Sequence, residues 1–219
     1  MEFKSLLDFL KKLKKNNNKE WFDKNKKEYE SLRADFITFI GEVIGDISSY
    51  NKAVSGLEAK KTIFRINRDI RFSKDKSPYK SNFGANMAPG GKNAMNAGYY
   101  IHFEPGNCFI AGGLYMPDPN NLANVRQEID YNLVAFEKII REKNYKKFFN
   151  GLGGEKLSRP PKGYEADNPA IDYLKHKHFL AYHEVSDKEV MDKNYRKYVA
   201  STFKAMHPLV DFLNKAIGK

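Results

Sequence analysis

Two runs of β-favouring residues, Tyr99 to Glu104 and Cys108 to Leu114, flank the turn-forming tripeptide Pro105-Gly106-Asn107. Proline presets one turn dihedral and glycine supplies positive φ, so this pattern constrains the chain to an antiparallel hairpin. Phe83 to Ala88 and Phe179 to Glu184 have strand character as well. Both ends of the chain carry helical periodicity instead. Phe3, Leu6, Leu7, Leu10 and Leu13 recur at three- and four-residue steps, and Asn18 is placed to cap a second helix whose apolar stripe from Trp21 to Ile47 runs to about Tyr50. Pro119 opens a helical stretch reaching about Arg141, with short turns near Tyr145–Phe149 and Ile171–Lys175. Asp187 to Ile217 reads as a last helix containing Pro208. The sum is an α+β fold, a mostly antiparallel sheet packed against N- and C-terminal helices. No repeat or linker divides the chain, so residues 1–219 are expected to form a single domain.

With 219 residues, 41% of them hydrophobic, there is enough apolar surface for a good core, and 16 Phe and 13 Tyr make rings a large part of it. The single cysteine, Cys108, excludes an intramolecular disulfide and fits a reducing cytoplasm; its apolar strand reads as the place of a buried, inert thiol. The amphipathic start is unlike a signal peptide, and no run approaches the length of a membrane span. A cytoplasmic protein with no membrane partner is the expectation.

Charge is distributed unevenly. Of a net +11, residues 60–80 supply +6, with eight basic and two acidic side chains. Here Arg65, Arg68, Arg71, Lys74, Lys76 and Lys80 surround Asp69 and Asp75, and Tyr79 closes the run. Guanidiniums donate paired hydrogen bonds that match phosphate and carboxylate oxygens. Lys61 to Asn67 alternates like a strand, with Phe64 and Ile66 on one side and Ile63 and Arg65 on the other; Pro78 then forces an extended or turning segment.

Arg65-x-x-Arg68-Asp69-x-Arg71-Phe72 followed by Asp75-Lys76-x-x-Tyr79 resembles the signature of a bacterial family catalogued as domain of unknown function 2461. Asn17-Asn18-Lys19-Glu20-Trp21-Phe22, Gly112-Gly113-Leu114-Tyr115-x-Pro117 and Pro161-Lys162-Gly163-Tyr164 extend the resemblance across most of the chain. Asn168-Pro169 stands where the family pattern implies His-Pro, which argues against a catalytic role there. The resemblance implies a fold and a choice of residues, and no reaction.

The candidate ligand-binding residues are therefore Arg65, Arg68, Asp69, Arg71, Lys76, Tyr79 and Lys80, with Asp69 or Tyr79 as proton-transfer groups if catalysis occurs. An anionic small molecule, phosphorylated or carboxylated, is the first partner to expect. Nucleic acid is the second, with Phe72, Tyr79 or Phe83 stacking on bases. A third reading is a scaffold whose arginines pair internally, for example with Asp35, Glu42 or Glu58. His176, His178, His183 and Glu184 have metal-ligand chemistry but no recognised spacing, and His102 reads as a strand histidine, so no metal is expected. Ala111-Gly112-Gly113 lacks the phosphate-loop and dinucleotide spacings and reads as a close backbone approach or a bulge. Arg126 reads as ion-paired or solvent-facing. No cofactor motif is legible.

Overall fold

The computed structural model describes residues 1–218. Four antiparallel strands, β1 (Phe83–Met87), β2 (Gly98–Phe103), β3 (Cys108–Leu114) and β4 (Phe179–Val185), lie side by side in chain order. The β2–β3 hairpin forms where the turn chemistry placed it, Gly106 taking φ 77°. Alternation then sorts the side chains: Tyr99, Ile101 and Phe103 point to the interior and Tyr100 and His102 to the opposite face.

The interior face is covered by helices from both ends of the chain. These are α1 (Phe3–Lys15), α2 (Lys19–Lys24), α3 (Lys26–Ser48) and, from the far end, the longest C-terminal helix, Tyr195–Ile217. Phe3 is where they meet. Its ring stacks on Phe103 of β2 at 5.3 Å and meets Phe39 and Tyr195 edge-on, each at 5.1 Å. Edge-to-face pairs are favoured because the ring's positive edge meets a negative face, and each is worth about 0.5–1.5 kcal/mol beyond burial. The aromatic enrichment thus ties the two ends of the sequence to the sheet.

Between β1 and the N-terminal helices lies the four-residue helix α4 (Ala59–Thr62). Between β3 and β4 the chain makes a long excursion through α5 (Pro119–Tyr131), α6 (Leu133–Arg141), α7 (Lys143–Lys146) and α8 (Ile171–Leu174). It returns beyond β4 through α9 (Asp187–Val190) into α10 (Tyr195–Ile217). Phe136 of α6 packs on Phe212 of α10 at 5.3 Å. Asp118 caps α5 by accepting from the Asn120 and Asn121 amides, with Pro119 in the first turn.

Three expected helices are divided. Asn25 donates its side-chain amide to the Trp21 carbonyl and ends α2 before α3 begins. Asn132 separates α5 from α6 by a non-helical backbone, φ −123° and ψ 36°, its amide N–H on the Glu128 carbonyl and its side chain on the Glu128 carboxylate. Ser186 and Glu189 close a capping box on α9, and an Asp192-centred turn separates it from α10. Pro208 lies inside α10 without ending it.

The Lys61–Asn67 strand does not form. Lys61 and Thr62 finish α4, and the rest makes single bridges, Ile63 to Ala85 of β1 and Asn67 to Tyr79 in the returning limb of the motif. Ile63 and Ile66 are the buried residues, three apart rather than two, while Phe64 and Arg65 face outward. The expected alternation is not realised, since Phe64 faces solvent while Ile66 is buried, and isolated bridges do not hold strand geometry. The glycine- and proline-rich stretch 151–169 meets the free edge of β4 at Gly153 and the segment just before that strand at Glu155 and Lys156. The Gly153 amide donates to the Leu180 carbonyl at 2.7 Å, and Lys177 donates to the Glu155 carbonyl at 2.8 Å. Backbone pairing pins this loop as an edge cover.

Candidate functional site

The basic motif is a folded-back arm. The Arg68 amide donates to the Pro78 carbonyl at 2.9 Å and the Lys80 amide to the Ile66 carbonyl at 2.8 Å, so residues 66–68 run beside 78–80 with the loop 69–77 projecting. Asn17, in the break between α1 and α2, anchors the returning limb. Its side chain accepts from the Tyr79 amide at 3.1 Å and donates to the Tyr79 carbonyl at 2.9 Å. Tyr79 itself is buried, its ring stacked on Phe22 at 4.0 Å. Asn17→Ala is expected to cost about 1–3 kcal/mol in urea denaturation, because two backbone groups lose their partner together. A loss below about 0.5 kcal/mol would mean that the clamp does not hold the arm.

Besides the buried Tyr79, the motif residues separate into three groups. Arg68 turns inward and donates to the Asp75 carboxylate, to the Ser77 carbonyl at 3.1 Å and to Ser73 Oγ at 3.3 Å. Hydrogen bonds from Ser77, and then Arg68, hold the Asp75 carboxyl down at about 2. Asp69 and Arg71 form a fork-to-carboxylate pair with each other at 3.0 and 2.7 Å out in solvent, and Lys76 donates to the Ile70 carbonyl at 3.0 Å. That pair lowers the Asp69 pKa, with the Arg71 side chain as the main cause. The ion pairs stay within the loop: Glu42 engages Arg196 and Glu58 engages Lys61 instead.

Lys80 and Arg65 are different. Neither makes a salt bridge among the described residues. Lys80 Nζ lies 5.5 Å from the Phe64 ring centroid, and Lys92 Nζ, donating to the Ile63 carbonyl at 2.9 Å, lies 6.0 Å from the same ring. Burial, followed by the positive fields of Arg65 and Lys92, lowers the Lys80 pKa. Lys80 and Lys92 are gathered against one phenylalanine, with cation–π attraction and the Lys92–Ile63 hydrogen bond in compensation, and Arg65 adds its positive field.

Lys80 also lines an open pocket of about 380 Å³ with Lys14, Arg68, Ser81 and Asn82, and with the Asp75 carboxylate that Arg68 holds. Behind it Glu104 is a hub: Ser81 Oγ donates to it at 3.1 Å and Asn107 at 3.2 Å, with Lys14 at 3.5 Å and His102 Nε2 at 3.6 Å. Burial pushes the Glu104 pKa up, but the donors and Lys14 outweigh it and the net shift is downward. Lys14 and Lys92 were missed in the sequence reading. Lys14 is one of several lysines on a helix, and Lys92 sits in a Gly/Asn-rich turn, so neither has a local signal.

The remaining candidates are dispersed. His176 is buried, His178 Nδ1 accepts from the Met116 amide at 3.0 Å, and His183 Nδ1 donates to the Phe148 carbonyl at 2.8 Å. No group of three or more His, Cys, Asp or Glu is assembled for a metal among the described residues. Arg126 donates to the Leu174 and His176 carbonyls, joining α5 to the segment after α8. Cys108 is buried, and burial pushes its thiol up to about 11. Among the described residues no helix is long and apolar enough to cross a membrane.

A four-stranded antiparallel sheet, roofed on one face by helices from both chain ends and carrying a basic arm beside β1, defines an α+β protein with an uncompensated cationic corner. The chain belongs to the family described as "Conserved hypothetical protein (DUF2461)", whose model matches residues 5–212. No curated protein and no solved structure matches it.

Proposed function

We propose that this protein binds an anionic ligand, of phosphate or carboxylate type, at the corner formed by Arg65, Lys80 and Lys92. One observation carries the reading: a half-buried lysine is held beside two other cations with no acid in ion-pair contact. Desolvated like charges repel, and a ligand anion would remove that penalty while gaining charge-assisted hydrogen bonds. Asp69, Arg71 and Lys76 take no direct part in this arrangement, since they project with the loop. Tyr79 contributes by fixing the arm that carries Lys80.

The test is thermal unfolding in phosphate, pyrophosphate and citrate against chloride at constant ionic strength. A ligand at about one hundred times its dissociation constant adds about 2.7 kcal/mol, or roughly 5–10 °C for a chain of this size. Lys80→Met and Lys92→Met are expected to abolish the anion-dependent rise. Lys80→Met should leave the ligand-free protein as stable as wild type or more so, because it removes a repelled charge and keeps the apolar stem on Phe64. An anion effect that survives both substitutions places the binding elsewhere; no effect with any anion removes the reading.

A further inference from the structure

The sheet face opposite the helices carries a continuous layer of rings, of which the anion corner uses only Phe64. Tyr100 of β2, Phe109 of β3 and Tyr182 of β4 follow one another diagonally across the strands, with centroids 5.6 and 4.9 Å apart. Phe64 extends the layer beyond β1, 6.2 Å from Tyr100, and His102 stacks on Phe109 at 4.6 Å. Gly84 makes room for it: a Cβ there would lie 2.6 Å from the Tyr100 hydroxyl, so the ring lies flat over β1 only above a glycine. Phe64 is 38% exposed, Tyr182 39% and Tyr115 68%. An open sheet face is ordinarily polar, and a connected apolar patch of this kind marks a contact surface.

We infer that this face binds single-stranded nucleic acid, bases lying on the Phe64–Tyr100–Phe109–Tyr182 layer and phosphates held by Arg65, Lys80 and Lys92. The inference rests on the anion reading above and names the class of anion. Three features favour this occupant. The cations without acid partners lie at the Phe64 end of the ring layer, so charge and stacking surface adjoin as they do along a nucleotide chain. The layer is open and spans three strands, whereas a small-molecule site encloses most of its ligand; a four-stranded sheet with surface rings can stack two or three bases. The chain's net charge of +11 supplies long-range attraction for a polyanion. Glu184, exposed on the same face opposite Phe109, repels phosphate and therefore directs the sugar-phosphate backbone toward the Phe64 side.

Fluorescence anisotropy of labelled ten-nucleotide single strands, RNA and DNA, tests this with the full chain. Duplexes of the same sequence and AMP serve as competitors. Three neutralised phosphates predict an affinity falling about 15- to 20-fold between 50 and 200 mM salt. Tyr182→Ala and Phe64→Ala, both at the surface and checked for unchanged melting, should each weaken the single strand by about tenfold or more. Inorganic phosphate stabilisation should be unaffected by Tyr182→Ala. Single-strand binding that is insensitive to both ring substitutions overturns the stacking surface and leaves the anion corner standing. Duplex binding of equal strength also overturns it, as does AMP competing as well as an unlabelled ten-mer, which would make the ligand a mononucleotide. If phosphate stabilises the protein and no strand binds, this inference fails alone; if neither binds, both readings fail.

Discussion

Gly113→Ala is expected to destabilise the protein by about 3–5 kcal/mol, lowering the melting temperature by roughly 10 °C or more. Gly113 has φ 121°, a region that L side chains rarely adopt, and an added Cβ would collide with the Phe179 carbonyl across the β3–β4 ladder. The obstacle is backbone, which cannot step aside without breaking the pairing of Gly113 with Leu180. Its neighbour Gly112 faces the other way, where a Cβ would meet Met206 of α10 and lie 2.8 Å from the Gly98 carbonyl. The glycine pair thus sets both how close α10 lies to the sheet and how β4 joins it. Gly45→Ala in α3 is the matched control. It has open space and helical backbone, and the same added methyl should stabilise by up to about 1 kcal/mol. Equal melting temperatures for Gly113→Ala and wild type would show that β3 does not approach β4 in this way.

Acid is expected to weaken the fold through His176 well before the carboxylates titrate. The ring is 2% exposed with no partner for Nδ1, and burial, assisted by Lys156, pushes its pKa down to about 4; Asp172 and the backbone of Gly153 and His178 oppose the shift. An unfolded histidine titrates near 6.5, so between about pH 6.5 and 4 the unfolded chain binds a proton that the folded protein refuses. Stability from this group is complete above pH 6.5 and drains away as pH falls toward 4, by roughly 2–3 kcal/mol at pH 4.5. His102 and His207, both lowered chiefly by burial, act with the same sign. Urea denaturation of wild type and His176→Phe at several pH values from 4.5 to 7.5 reads the effect. The variant should show a shallower pH dependence, the gap closing above pH 6.5. Parallel curves would mean that His176 is protonated in the native state.

The elements legible in the sequence are those whose signals are local. The β2–β3 hairpin needed only Pro105-Gly106-Asn107 between two β-favouring runs, and α1 only its leucines at helical spacing. Boundaries were lost at Asn25, whose side chain takes a helix carbonyl, and at Asn132, where the backbone leaves helical geometry, because periodicity continues through a break that leaves the buried face in line. The Lys61–Asn67 expectation failed for the opposite reason. Strand formation depends on partners, and this stretch finds bridges only at Ile63 and Asn67, so Phe64 and Ile66 did not share a face.

The candidate site divides the same way. That a cationic cluster lies between Arg65 and Lys80 was readable from residue types alone, and so was the suitability of guanidinium and ammonium groups for oxyanions. The hydrophobic alternation of β2 also carried Tyr100 and His102 to a face of their own. Which cations remain available was not readable. Arg68 is spoken for by Asp75, and Arg71 by Asp69, through distances set by the arm's fold. Lys92 joins Lys80 only because the turn after β1 returns over Phe64, and Lys14 joins the pocket from α1. By itself the sequence determined the secondary-structure class, the hairpin and the chemistry of the basic segment, since composition and short-range spacing encode these. The tertiary structure alone decided which charges are neutralised and which rings lie open, because pairing and exposure are properties of distance between residues remote in the chain.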